Sequence, residues 1–213
     1  MSATKDKPRR GRPKTFDRER VIGVAMEAYW REGVEEISLN ELCRRAAVSK
    51  PGVYREFGGE DGLMEAALLR YAETVLDTLI AQIADSPRPF PEVLAGVLEF
   101  ITDADRPIPP GCLLVRLRGA GPRLGPKTRA RVEALRQSAL STYTLWIDQA
   151  RSRGELASEV PTPVAAAFLD TQISTLLVRM AEGADPGSLR AQARLAFAGL
   201  TGWSLVDPTG PPV

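Results

Sequence analysis

Apolar residues recur along this chain every three or four positions, and prolines and glycines cut the pattern into segments. Ile22, Ala25, Met26 and Tyr29 form the first stripe, opened by Asp17 and stopped by Gly33. Ser38 caps a second helix over 38–46, with Glu41 three residues on in the reciprocal capping-box pattern. Ala47 and Val48 make a turn, and Ser49 caps a third short helix ending near Phe57. The stretch 58-GGEDG-62 reads as a break. Beyond it, Leu68, Tyr71, Val75, Leu79 and Ile83 predict a long helix over 63–84. After 86-SPRPFP-91, Val93, Val97, Leu98 and Ile101 predict another over 92–104. The segment 106-RPIPPG-111 is a hard stop, 112-CLLVRLR-118 a short helix and 119-GAGPRLGP-126 a loop. Val132, Leu135, Ala139, Tyr143 and Trp146 mark a long helix that closes near Arg153-Gly154. Two last helices, about 163–182 and 186–204, are parted by Asp185-Pro186. The pattern predicts an all-α chain of about nine helices with no strand.

Three short N-terminal helices, the second and third joined by a tight turn, describe a helix-turn-helix unit. Leu39, Leu42, Cys43, Ala46, Val48, Val53 and Phe57 can close a small core. Arg44, Arg45, Lys50 and Arg55 are left outside, where they can neutralise phosphates while a helix N-terminus adds amide donors. Within 47-AVSKPGVYREF-57, proline and glycine cost roughly 3 and 1 kcal/mol in a helix interior. Behind a Ser49 cap, however, Pro51 falls in the first turn, where its missing N–H breaks no bond. Gly52 lets the backbone approach whatever it faces, expected to be the major groove.

Charge sharpens this picture. Hydrophobic residues make up 44% and charged residues 26%, enough for a real core, and the formal net charge is +1. Residues 1–20 hold eight Lys/Arg against three acids, so that +5 sits in an N-terminal arm and −4 in the rest. A basic arm on a slightly acidic body points to a polyanionic partner. Arg10 and Arg12, flanking Gly11 in 9-RRGRPK-14, suit a narrow minor groove, the alternative being a solvated tail. The chain has no histidine, which removes Ser-His-Asp and Cys-His nucleophile systems. Its two cysteines, Cys43 and Cys112, make neither a zinc site nor a disulfide framework. No cofactor is expected. No apolar run approaches the roughly 18 residues of a membrane span and no signal-peptide core is visible, so a cytoplasmic setting is expected.

From 11 to 68 the chain resembles the TetR/AcrR family of bacterial repressors, through Gly33, Ile37-Ser38-Leu39, Leu42, Val48-Ser49 and Val53-Tyr54-Arg55-Glu56-Phe57. The resemblance implies a homodimer whose N-terminal domain reads a palindromic double-stranded DNA operator. A larger effector-binding and dimerisation domain would follow. Carried over by position, Ser38, Tyr54 and Arg45 contact phosphates, while Lys50, Pro51, Gly52 and Arg55, behind Ser49, face the major groove. Glu60-Asp61 stand where many members have a phosphate-binding lysine. The expected divisions are a disordered arm (1–15), the helix-turn-helix domain (16–62), the effector and dimerisation domain (63–205) and a flexible tail (206–213).

The same resemblance assigns the dimer interface to the last two helices, through Leu169, Ile173, Leu176, Met180, Leu189, Ala193, Phe197 and Leu200; the alternative is that these stripes face only the chain's own core. It places a small-molecule effector among the middle helices; Phe100, Tyr143, Trp146, Phe168 and Gln172 are candidate lining, with core packing as the alternative for aromatics at helical spacing. Cys112, in 109-PPGCLLVRLRG-119, resembles the redox or electrophile sensor of one subgroup. A thiol at a helix N-terminus gains thiolate stability from the positive dipole end, and Arg116 one turn on would add to it. The alternative is a buried, inert thiol. The run Arg116, Arg118, Arg123, Lys127, Arg129, Arg131 suits an anionic ligand or a solvated face. Two other classes remain open. One is an acyl-CoA-binding enzyme, from 116-RLRGAG-121, which needs a preceding strand to cradle a pyrophosphate. The other is an interaction module that binds no DNA.

Overall fold

A computed structural model describes residues 16–84, 86–156 and 160–201. The Asp17 side chain accepts the Arg20 amide (3.0 Å) and opens α1 (Arg18–Arg31). Ser38 does the same for α2 (Leu39–Ala46), accepting from Glu41 N–H at 3.2 Å, and Ser49 caps α3 (Lys50–Phe57). Only half of the capping box forms, because the Glu41 carboxylate turns to Arg44 (2.6 Å) and Arg45 (2.8 Å) instead of the Ser38 amide. Gly58, in the left-handed region, closes α3 by donating to the Tyr54 carbonyl. Gly58 and Gly59 alone make the break, so α4 (Glu60–Tyr71) begins three residues earlier than expected. That start puts Glu60 and Asp61 in its first turn, where the helix dipole favours acids.

A π-helical turn, Ala72–Leu76, carries α4 without interruption into α5 (Asp77–Ala84). There follow α6 (Phe90–Thr102), α7 (Leu113–Ala120), a 3-10 turn (Gly121–Arg123), α8 (Pro126–Ser152), α9 (Thr162–Ala181) and α10 (Pro186–Thr201). Taking α4 and α5 as one continuous helix, the described residues hold nine helices and no strand. Helix α6 opens at Phe90, two residues early, with Pro91 in its first turn and the Phe90 N–H donating to the Glu155 carboxylate at 2.8 Å. The last expected helix is described as far as Thr201, and the arm (1–15) and tail (206–213) lie outside the described residues.

Two cores result. The first joins α1–α4 to α7 and the start of α8, so Cys112, Leu113, Leu117, Leu124 and Val132 bury with Tyr29, Leu42 and Leu68. The second lies among α6, α8, α9 and α10, around Phe90, Ile147, Leu169 and Phe197, with Trp146 stacked on Phe90 at 4.2 Å. Helix α9 is, contrary to expectation, long and apolar enough to pass a length-and-composition test for a membrane span. Its packing against α6, α8 and α10 accounts for that apolarity, because the core helix of a globular bundle meets the same test.

Candidate nucleic-acid interface and effector cavity

The α2–α3 turn rests on Ala47, whose φ of 56° is left-handed. Its N–H donates to the Arg44 carbonyl (3.2 Å), and that of Val48 to the Cys43 carbonyl (3.0 Å). Ser49 Oγ accepts the Gly52 N–H at 3.2 Å, so Pro51 sits in the first turn of α3 with no intrahelical bond to lose. Val53 and Phe57 turn inward, and Lys50, Pro51, Tyr54 and Arg55 turn to solvent. Tyr54 is 52% exposed, a large aromatic with no apolar reason to be outside. Lys50 has no ion-pair partner among the described residues, and Arg55 reaches only its neighbour Glu56 (3.1 Å). One side of α3 thus presents a cation, an aromatic hydroxyl and a guanidinium above a capped helix start.

A cavity of about 280 Å³ opens among the middle helices, with an apolar wall that includes Leu79, Ile80, Ile83, Val97 and Leu177. On one side Arg118 donates to both Asp170 oxygens (3.1 and 3.0 Å) and to Ser174 Oγ (3.1 Å). On another stand Trp30, Tyr71, Arg106 and Cys112. Trp30 and Tyr71 meet edge to face at 4.7 Å. The Tyr71 hydroxyl and the Cys112 thiol are neighbours there, close enough to perturb each other's titration. Cys112 is the N-cap residue of α7. Gly111 before it has φ +84°, and a Cβ there would lie 2.8 Å from Ala181 Cβ, so only glycine allows this entry to α7. Burial pushes the Cys112 thiol up, against the opposing pull of Tyr71, the Val115 and Leu114 amides and Arg118. The thiol is therefore neutral at pH 7, not the stabilised thiolate that the helix dipole alone predicts.

Comparison with known proteins places this architecture. Residues 21–67 match the family described as "Bacterial regulatory proteins, tetR family". The repressor ComR of Escherichia coli (strain K12) is 28% identical over 202 residues, covering 92% of this chain and 93% of that one. The family match spans α1 to α4, the helix-turn-helix segment of this chain. Among solved structures, a cysteine mutant of the TetR-family regulator CifR, complexed with a 26 bp double-strand operator DNA, has a TM-score of 0.70 at 24% identity, covering 89% of this chain and 100% of that one. The reduced form of Escherichia coli NemR has a TM-score of 0.73 at 15% identity, covering 86% and 96%.

The chain departs from several expected placements. Gly52 is buried beneath Phe16, where a Cβ would come within 3.0 Å of two ring atoms, so the close approach it permits is to Phe16. Arg45 is held by Glu41 and Glu32, which ties α2 to the end of α1 rather than leaving a free guanidinium for a phosphate. Hydrogen bonds from Arg44 and Arg45 pull the Glu41 carboxyl down to about 2. Ser38 and Ser49 are exposed, but each hydroxyl already accepts the amide it caps. Arg10 and Arg12 lie outside the described residues.

Of the expected pocket residues, Phe100 and Tyr143 line the cavity, with Cys112. Trp146 packs on Phe90, and Phe168 meets Phe197 edge-on at 5.7 Å, so both are core, while Gln172 is half-buried away from the lining. Arg116 turns to the Gly33 backbone, and Arg118 is the cation that acts on the thiol. The rest of the arginine run is spent elsewhere: Arg123 pairs with Glu35, Arg131 with Glu65, and Arg129 binds the Leu124 carbonyl at 2.8 Å. All eight expected interface residues face this chain's own core: Leu169, Ile173, Leu176, Met180, Leu189, Ala193, Phe197 and Leu200 are buried. Outward on the same helices stand Val164, Val178 and Leu195 instead. The 116-RLRGAG-121 stretch is mostly α7, and no strand among the described residues provides the sheet that a pyrophosphate cradle needs. Sequence reasoning missed Trp30, Tyr71, Arg106, Asp170 and Ser174. The signals available were an arginine inside a proline-rich stop and an acid at the centre of an apolar helix.

Proposed function

We propose that this chain is a homodimeric transcriptional repressor that leaves a palindromic operator when an effector fills the cavity or Cys112 is modified. The observation that carries the reading is the outward face of α3, where Lys50, Tyr54 and Arg55 stand in solvent above a Ser49-capped, proline-initiated turn. Lys50 and Arg55 serve base edges and phosphates, and the Tyr54 hydroxyl serves a phosphate. Lys127 adds a cation beside Gly58, on the flank where Glu60 and Asp61 stand in α4. The basic arm supplies charge that the α3 face alone lacks. The setting is the cytoplasm.

The second copy docks on the outward stripes of α9 and α10, not on the buried ones. The CifR complex with operator DNA and the repressor ComR support the DNA partner by similarity. Selection of bound DNA from a random pool tests the reading. Two inverted half-sites about 10 bp apart, centre to centre, should be enriched, and enrichment should fall when a maleimide is present. Retention of no DNA even at low salt would favour an interaction module without a nucleic-acid role.

A further inference from the structure

Two residues that line the cavity carry buried donors that nothing in the protein accepts. Trp30 is 3% exposed, lines the cavity, and its indole Nε1–H is buried without a partner. Arg106 lines the same cavity, near the Tyr71 on which Trp30 packs, and its Nε–H is likewise buried and unpartnered. The other Arg106 donors point to backbone, at Pro109 O (3.0 Å), Phe100 O (3.4 Å) and Gly111 O (3.4 Å). The guanidinium lies over the Phe100 ring, 5.4 Å from its centroid. No carboxylate among the described residues pairs with it; Asp103 acts only at longer range. The contrast is Arg118, whose charge is already met by Asp170. Orphan buried donors are rare because each forfeits its hydration, so a ligand that brings acceptors here removes a standing penalty. A neutral acceptor would satisfy the indole but leave the guanidinium charge uncompensated in an apolar wall.

We propose that the cavity binds a small amphipathic anion, a carboxylate on a hydrocarbon body. Its oxygens bridge Arg106 and Trp30, and its chain lies along Leu79, Ile80, Ile83 and Val97. The proposal rests on the effector reading above and names the chemical class of that effector. The head group would sit in the corner that holds Tyr71 and Cys112, at the junction of α4 and the π turn. At about 280 Å³ the cavity lies at the small end of ligand pockets, which run from about 300 to 1,000 Å³, and suits a short chain.

Calorimetric titration of the full-length protein with octanoate, octan-1-ol and octylamine tests this. Octanoate should bind at least about tenfold more tightly than the alcohol, with the amine weakest, as expected for charge-assisted hydrogen bonds. Arg106→Gln should reduce that preference to about twofold or less. Trp30→Phe, which keeps the ring packing and removes the N–H, serves as a second variant and should weaken octanoate several-fold while leaving octanol unchanged. Equal affinity for alcohol and carboxylate, preference for the amine, no octanoate binding at millimolar concentration, or octanoate affinity indifferent to both substitutions would each overturn the anion site. Gel retardation of the ligand-free protein on its selected operator is scored separately, so a failure of the regulator reading is distinguishable from a failure of this one.

Discussion

The Asp61 carboxylate accepts the backbone N–H of Lys127 (3.0 Å) and of Thr128 (3.0 Å) and the Thr128 hydroxyl (2.7 Å). An acid in the first turn of α4 therefore caps the first turn of α8 and joins the N-terminal helices to the rest of the chain. Asp61→Ala should lower stability by about 2 kcal/mol in urea denaturation, the scale of charge-assisted hydrogen bonds lost from a half-buried site. Burial pushes this carboxyl up, but the Thr128 and Lys127 hydrogen bonds outweigh it and hold it below the usual range. A depressed folded value means the stabilisation is full above the unfolded pKa of about 3.9 and disappears as pH falls through the folded one. The gap in urea midpoint between the native chain and Asp61→Asn should thus be steady above pH 5 and close as pH falls towards 2. A gap that persists at pH 2 would mean the carboxylate charge is not what the cap uses. Cys112 behaves in the opposite sense: its thiol value is raised by burial, so the thiolate fraction is small at neutral pH. Its alkylation by a maleimide, followed by mass spectrometry, should be slower than that of an exposed thiol at pH 7 and still rising above pH 9.

Between elements, the Arg118–Asp170 pair fastens α7 to α9 across 52 residues of sequence. The pair is mostly buried, so removing one partner strands the other's charge. Arg118→Met should cost about 3 kcal/mol, whereas Arg118→Met with Asp170→Leu should recover most of it. A fully additive double mutant would mean the two groups do not depend on each other. This pair also marks where sequence reading stops. Helix positions were legible because each boundary has its own local chemistry: Asp17, Ser38 and Ser49 as caps, Gly154 at +71°, Pro186 as a fresh start. Apolar spacing, however, says which side of a helix avoids water and not which neighbour it meets. The stripe Leu169, Ile173, Leu176, Met180 is the same whether it faces a partner copy or the chain's own α6 and α8. Trp146 and Phe168 failed as pocket residues for the same reason: an aromatic at helical spacing fits a core or a cavity alike. Arg118 and Asp170 read separately as one cation in a basic run and one misplaced acid; only folding makes them a pair. The π turn left no signature beyond an unbroken helical period.

At the scale of the whole molecule, α9 and α10 turn most of their large side chains inward but leave Val164, Val178 and Leu195 outside, an outer surface unlike an ordinary solvated face. Exposed along α9 are Val164, Ala167, Thr171, Thr175 and Val178, three and four apart; along α10 they are Ser188, Gln192, Leu195 and Gly199. Arg179 donates to Gln192 (3.2 Å) and bridges the two helices on that side. Small and β-branched residues let helices approach closely, and Leu195, 63% exposed, is the large apolar anchor such an interface needs. Two copies related by a two-fold axis would each present the same pair of helices, with no further surface required to close the assembly. Leu195→Arg should then yield a folded monomer in sedimentation equilibrium, with an unchanged helical spectrum. Its operator affinity should fall roughly 10²-fold, because two linked reading heads gain from effective concentration what a single head cannot. Leu169→Ala offers the contrasting outcome. That side chain is fully buried within its own chain, so its loss should lower stability by about 3 kcal/mol while the surviving folded protein stays dimeric. If Leu195→Arg remains a dimer and Leu169→Ala dissociates, the interface runs through the inner stripe, and the assignment of the two faces is reversed.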